Sequence, residues 1–179
     1  MNGKISRLKS LAVICALLLA VLWLIAECWT GVFGIMRFNR SSDAPIPLAA
    51  PFRRENISAL GYSGYNDGFF GFDMYRNSDN NAELRVQSYP DCAIGGTRIT
   101  GIYLYEGATG NILGIGIGTG MADTCKLLED NGYKITSFGG GKITAKRGKI
   151  TLKLSLNEED AVTAVSAEIS PTNILGIQY

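Results

Sequence analysis

Apolar residues run without a break from Leu11 to Ala26, LAVICALLLAVLWLIA, behind Lys4, Arg7 and Lys9. A spanning helix needs about 20 residues to cross about 30 Å of hydrocarbon. Extending the run to Trp29 meets that length and leaves Glu27 where a carboxylate reaches the headgroup layer. The run is apolar on every face, whereas a surface helix keeps a polar stripe. It predicts a transmembrane signal anchor at 11–29 behind a cytoplasmic tail at 1–10. The basic residues on its N-terminal side place the bulk of the chain outside the cytoplasm, as a single-pass protein of the cell membrane. A cleaved signal peptide would use Ala26-Glu27-Cys28, a mediocre site, and a lipoprotein would use Cys28, where Glu27 stands in place of the small residue that pattern needs.

Residues 30–51 contain three prolines with Ser and Ala and read as a linker. An exported domain follows at 52–179. Its first element is a short helix at Arg53–Leu60. Alternation then takes over: Phe70, Phe72 and Met74, and Leu84 and Val86, interleave with polar or small residues across the turn Asn77–Asn81, which predicts a hairpin of Phe69–Arg76 with Ala82–Tyr89. Thr97–Tyr105 and Ile112–Ile117 read as further strands. Met121, Cys125 and Leu128 recur at helical spacing within Thr119–Asn131, with Thr119 as N-cap and Asn131-Gly132 as a left-handed stop onto which Tyr133 folds back. Lys134–Phe138, Lys142–Lys146, Ile150–Leu156 and Ala161–Ile169, separated by short Gly-rich or polar turns, predict an antiparallel meander. Leu60-Gly61-Tyr62 and Asn131-Gly132-Tyr133 each end a helix and open a run of strands, the pattern of a duplicated helix–meander unit. The fold class is α+β: an N-terminal transmembrane helix, then one domain of short helices packed on an antiparallel sheet.

Composition narrows the chemistry. The chain has no histidine, which removes Ser–His and Cys–His nucleophiles and histidine-bearing zinc sites. From Asp43 onward 12 Lys and Arg face 15 Asp and Glu, a balance unsuited to nucleic acid. Lys142, Lys146, Arg147, Lys149 and Lys153 cluster locally and read as the solvated edge of a hairpin. Outside the cytoplasm Cys92 and Cys125 are candidates for one disulfide, with two buried thiols as the alternative. The glycines of Gly114–Gly120 lack the register of a dinucleotide loop, and Asn77–Asn81 lacks the turn glycine of a calcium loop, so no cofactor or metal is expected. Among the dense aromatics, Tyr62, Tyr65, Phe69 and Tyr75 are candidates for a partner-binding surface, with core packing as the competing role.

The stretch Ile115–Tyr133, IGIGTGMADTCKLLEDNGY, resembles the recurring element of small envelope modules of the SmpA/BamE and β-lactamase-inhibitor-protein type. Gly118, Thr119, Leu127, Leu128 and Gly132 carry the likeness, which spans residues 112–169; Tyr133 stands where those modules often have proline. The resemblance implies a binding or assembly module without catalysis. The expectation is therefore a membrane-anchored, extracytoplasmic, non-enzymatic binder of a protein or other envelope component. The alternatives are a carboxylate-dependent hydrolase, with Asp67 and Asp73 as its pair, and a structural spacer without ligand.

Overall fold

A computed structural model describes residues 12–22, 31–65, 71–89 and 96–170. Residues 12–22 form helix α1, exposed along its whole length. Among the described residues no helix is long and apolar enough to cross a membrane. The expected span reaches residues 11 and 23–29, which lie outside the described residues.

Among the described residues, helices α2 (Val32–Arg40), α3 (Arg54–Ala59) and α4 (Met121–Asp130) accompany eight strands: β1 (Tyr62–Gly64), β2 (Asp73–Asn77), β3 (Ala82–Tyr89), β4 (Gly96–Tyr105), β5 (Lys134–Gly139), β6 (Lys142–Arg147), β7 (Ile150–Leu156) and β8 (Val162–Ile169). The strands form one sheet in the order β1-β2-β3-β4-β8-β7-β6-β5. Every neighbouring pair is antiparallel. The order reads as two four-strand meanders, each introduced by a helix and a Gly-Tyr step, joined by their last strands β4 and β8.

Strand periodicity divides the sheet into two faces. One cross-strand row runs Tyr75–Leu84–Ile102–Ala167–Leu152–Ala145–Ile135 through seven strands. This face carries the core, closed by Ile35 and Phe38 of α2, Ile57 of α3 and Leu128 of α4. The helix α4 ends as its sequence predicts. Gly132 has φ 73°, its N–H donates to the Glu129 carbonyl, and the Tyr133 N–H donates to the Leu128 carbonyl, a Schellman pair that buries the Tyr133 ring.

Three expectations change. Residues 31–51 are not a free linker. Ile35, Phe38, Ile46 and Leu48 are buried. The Asn39 side chain holds Leu48 at both its N–H and carbonyl, 2.9 Å each, and Ala49, Ala50 and Phe52 exchange backbone hydrogen bonds with Thr97 and Ile99 of β4. Prolines and small residues mark this segment as extended, but the apolar residues between them supply core. Second, Ile112–Ile117 is not a strand. Leu113 and Gly114 take positive φ, 59° and 81°, so Ile112 and Ile115 bond each other across a two-residue turn instead of pairing with the sheet. Third, the N-cap of α4 is Gly120, and Thr119 Oγ1 instead accepts the Gly116 N–H at 3.1 Å.

Candidate functional site

None of the three helices that close the core packs on the second face of the sheet, and it is built from ionic and phenolic side chains. Two adjacent rows define it. The first runs Arg76–Glu83–Tyr103–Ser166–Lys153–Thr144–Ser137, the second Met74–Arg85–Gly101–Glu168–Thr151–Lys146–Lys134. Polar residues alternate with the core positions of the same strands, so this face is the direct product of period-two patterning.

Two carboxylates organise it. Glu83 on β3 is only 6% exposed. Arg76 pairs with it, Nε donating to Oε1 at 2.7 Å, and the Tyr105 hydroxyl donates to Oε2 at 3.0 Å. Glu168 on β8 accepts from the Tyr103 hydroxyl at 3.1 Å and from Lys153 Nζ at 2.9 Å, and Arg85 Nη1 lies 3.6 Å from its other oxygen. Both arginines are also stacked: Arg76 over Tyr65 at 4.5 Å and Arg85 over Phe72 at 4.4 Å from the ring centroids. Burial pushes the Tyr103 and Tyr105 hydroxyls well above the ordinary phenol range, and the neighbouring Glu168 and Glu83 add to this. Burial and Glu83 likewise raise Tyr65. These phenols are therefore protonated donors throughout the physiological range.

Gly101 makes the second row work. A Cβ there would come within 2.9 Å of Arg85 Cβ and 3.0 Å of the Tyr103 ring. Its bare surface lets Tyr103 lean sideways to Glu168 and lets Arg85 reach over an intervening strand.

Toward β5–β7 the face becomes basic. Lys134 and Lys146 stand directly opposite each other. With Lys142 they form a cationic patch, and none of the three pairs with a carboxylate among the described residues. Between this patch and the tyrosines lies a groove of ≈ 250 Å³, floored by Thr144, Ser155, Ala164 and Ser166 and rimmed by Tyr103, Tyr105, Lys142 and Lys153. Small residues, Thr144 of β6, Ser155 of β7 and Ala164 and Ser166 of β8, leave the trough; Tyr103 and Tyr105 of β4, Lys142 of β6 and Lys153 of β7 raise its sides.

Of the aromatics expected at a binding surface, Tyr62 and Tyr75 are corrected. They are 5% and 6% exposed and belong to the core; Tyr75 lies in the inward row and packs its ring 5.0 Å from that of Phe52. Tyr65 is exposed and lies under Arg76. Phe69 lies outside the described residues. So does Asp67, whereas Asp73 is half-buried at the start of β2, in register with Val86. Cys125 carries a free, half-buried thiol on α4, and its expected partner Cys92 lies outside the described residues. The basic cluster divides. Lys142, Lys146 and Lys153 belong to the open face. Arg147 instead donates to the Asn131 carbonyl at the C-terminus of α4, where the helix dipole favours a cation. No motif in the sequence marks Glu83, Arg85, Tyr103, Tyr105 and Glu168 as a site; their one signal is the polar–apolar alternation of AELRVQ, IYLY and AEI.

Each carboxylate is already held by a cation and a phenol, which leaves neither as a ready base. Among the described residues no group of three or more Cys, Asp and Glu could hold a metal ion. No family model, curated protein or solved structure matches the chain.

Proposed function

We propose that this chain is a membrane-anchored, non-catalytic binding module whose open sheet face docks an acidic segment of a protein partner outside the cytoplasm. The observation that carries the reading is the pair Lys134–Lys146. Like charges directly opposite in a sheet oppose folding, and together with Lys142 they leave positive charge unanswered beside an open groove. An acidic segment supplies the missing counter-charge. Tyr103, Tyr105 and the stacked arginines are already held by Glu83 and Glu168, so the wall of the groove is fixed before binding and little of its side-chain entropy is lost on docking. An envelope-assembly role, the form implied by the resemblance of residues 112–169, is the same reading with an envelope protein as the partner.

The edges of the sheet favour the face as the docking surface. β1 is three residues long, and β5 carries an irregularity between Ile135 and Ser137 and ends in Gly139. Short, bulged edges resist strand addition. Duplication supports a binding module as well. Gly61 and Gly132 share positive φ at the ends of α3 and α4, and each is followed by a buried tyrosine. We read the two halves as copies of one helix–meander unit whose joined last strands form the middle of the docking face. The anchor reading rests on the apolar run from Leu11 to Ala26.

A photo-crosslinking residue tests the reading when placed at Thr144 on the open face, or at Lys126 on exposed α4, in native membranes. Adducts from position 144 alone, abolished by Lys142→Glu with Lys146→Glu, are the expected result. Equal adducts from both positions, or none from position 144, would sink it.

A further inference from the structure

Helix α2 has two faces of different chemistry. Ile35 and Phe38 point into the core. Phe33, Met36, Arg37 and Arg40, spaced i, i+3, i+4 and i+7, share the opposite face and are all exposed, Phe33 to 49% and Met36 to 47%. An outward stripe of two half-exposed large apolar side chains and two exposed basic ones is costly to leave at a fully aqueous surface. It matches the boundary between hydrocarbon and anionic headgroups, where apolar groups enter the acyl layer and arginine stems extend toward phosphate. Beside Met36 an open apolar groove of ≈ 240 Å³ is lined by Ile35, Pro47, Leu48, Ala49 and Ala50, which extends the apolar surface past the helix.

The position of α2 in the chain selects the occupant. α1 exposes apolar side chains on all sides, and residues 23–31 alone connect it to α2. At about 3.5 Å per residue that connection spans no more than about 35 Å. A bilayer that takes up the apolar run therefore lies within reach of the Met36 face.

We infer that α2 is the domain's seat on the membrane. Its Phe33–Met36–Arg37–Arg40 face lies in the outer headgroup layer of an anionic bilayer and sets the orientation in which the open sheet face meets its partner. This rests on the anchor proposed above, and the experiment separates the two. The full chain is reconstituted in vesicles of phosphatidylcholine and phosphatidylglycerol, with an environment-sensitive fluorescent amino acid at Leu18, Met36 or Lys126. Lipids carrying quenchers near the headgroup or deep in the chains are then added. The expected result is deep quenching at position 18, shallow quenching at position 36 and none at position 126. Arg37→Glu with Arg40→Glu lowers the quenching at position 36 by about twofold or more and leaves position 18 unchanged. Quenching at 18 with position 36 behaving like 126 overturns the seat and leaves the anchor standing. No quenching at 18 overturns both. Quenching at 36 that survives the double charge reversal and phosphatidylcholine-only vesicles removes the electrostatic part of the inference.

Discussion

Arg85 and Glu168 approach to 3.6 Å although their strands, β3 and β8, are not neighbours. β4 runs between them, and the residue at the crossing is Gly101, in register with both. The contact exists because a residue without a side chain leaves the path clear. Gly101→Ala places a methyl against Arg85 and the Tyr103 ring and is expected to cost about 1–3 kcal/mol, the usual range for overpacking. Gly120→Ala is the control. Gly120 has φ −66° and nothing within 4 Å of an added Cβ, so its change carries no overpacking and only the preference of an N-cap for Gly over Ala, within about 1 kcal/mol. Urea unfolding of the two variants checks the contrast.

Tyr103→Phe removes one hydrogen bond to a carboxylate that keeps Lys153 and Arg85, and should cost about 1–2 kcal/mol. The tyrosines also set a pH dependence. Tyr103, Tyr105 and Tyr133 are all raised above the ordinary phenol value of 10.0 by burial. The unfolded chain ionises first as pH rises. Their contribution is therefore complete below about pH 10 and is lost as the pH climbs from there toward the raised values. Stability measured by urea at pH 8 and pH 11 should fall across that interval. The fall should be smaller in the Tyr103→Phe, Tyr105→Phe double variant, and an equal fall would show that other groups set it.

Phe38→Ala asks whether the segment before residue 52 belongs to the folded unit. Phe38 is 2% exposed, and truncating such a side chain costs about 3–5 kcal/mol. A tethering segment would give no change in the unfolding midpoint. Asn39→Ala, which frees both backbone groups of Leu48, should destabilise in the same direction by about 1–3 kcal/mol.

Lys146→Glu separates folding from recognition. It replaces a like-charge cross-strand pair with an attractive one and should stabilise the isolated domain by about 0.2–1 kcal/mol. The same change should weaken partner capture at the open face, since it inverts the charge offered there. A variant that is both more stable and fully competent in crosslinking would show that the lysine patch serves solubility alone.

The sequence makes much of this fold legible and hides a definable part. β3, β7 and β8 follow from two-residue alternation, and the end of α4 follows from Asn131-Gly132-Tyr133, because those signals are local and steric. The burial of Ile46 and Leu48 has no local signal, because the flanking prolines Pro45 and Pro47 mark an extended path while saying nothing of what it covers. The turn at Leu113 does not show in the strand-like run Ile112–Ile117, because a leucine at positive φ is strained and the surrounding fold imposes it. The tyrosines show the remaining gap. Alternation reveals that Tyr75 and Tyr103 lie on faces of a sheet, but only the placement of the helices decides which face is covered. Tyr75 thus becomes core while Tyr103 becomes surface.

The mirror order of the strands sets a schedule for folding. β4 completes the first meander, yet its second edge at Gly101–Tyr105 pairs only with β8, the last strand described. At about 5–20 residues per second, ribosomes need about 3–13 s to add residues 106–169. For that interval the first half has a vacant strand edge in the middle of the future sheet, in a segment rich in Ile, Leu and Tyr. β8 acts as the molecule's own chaperone for that edge. A chain ending before Val162 keeps the edge open permanently, and such a product should recover as edge-paired aggregate while the first meander within it retains its strands.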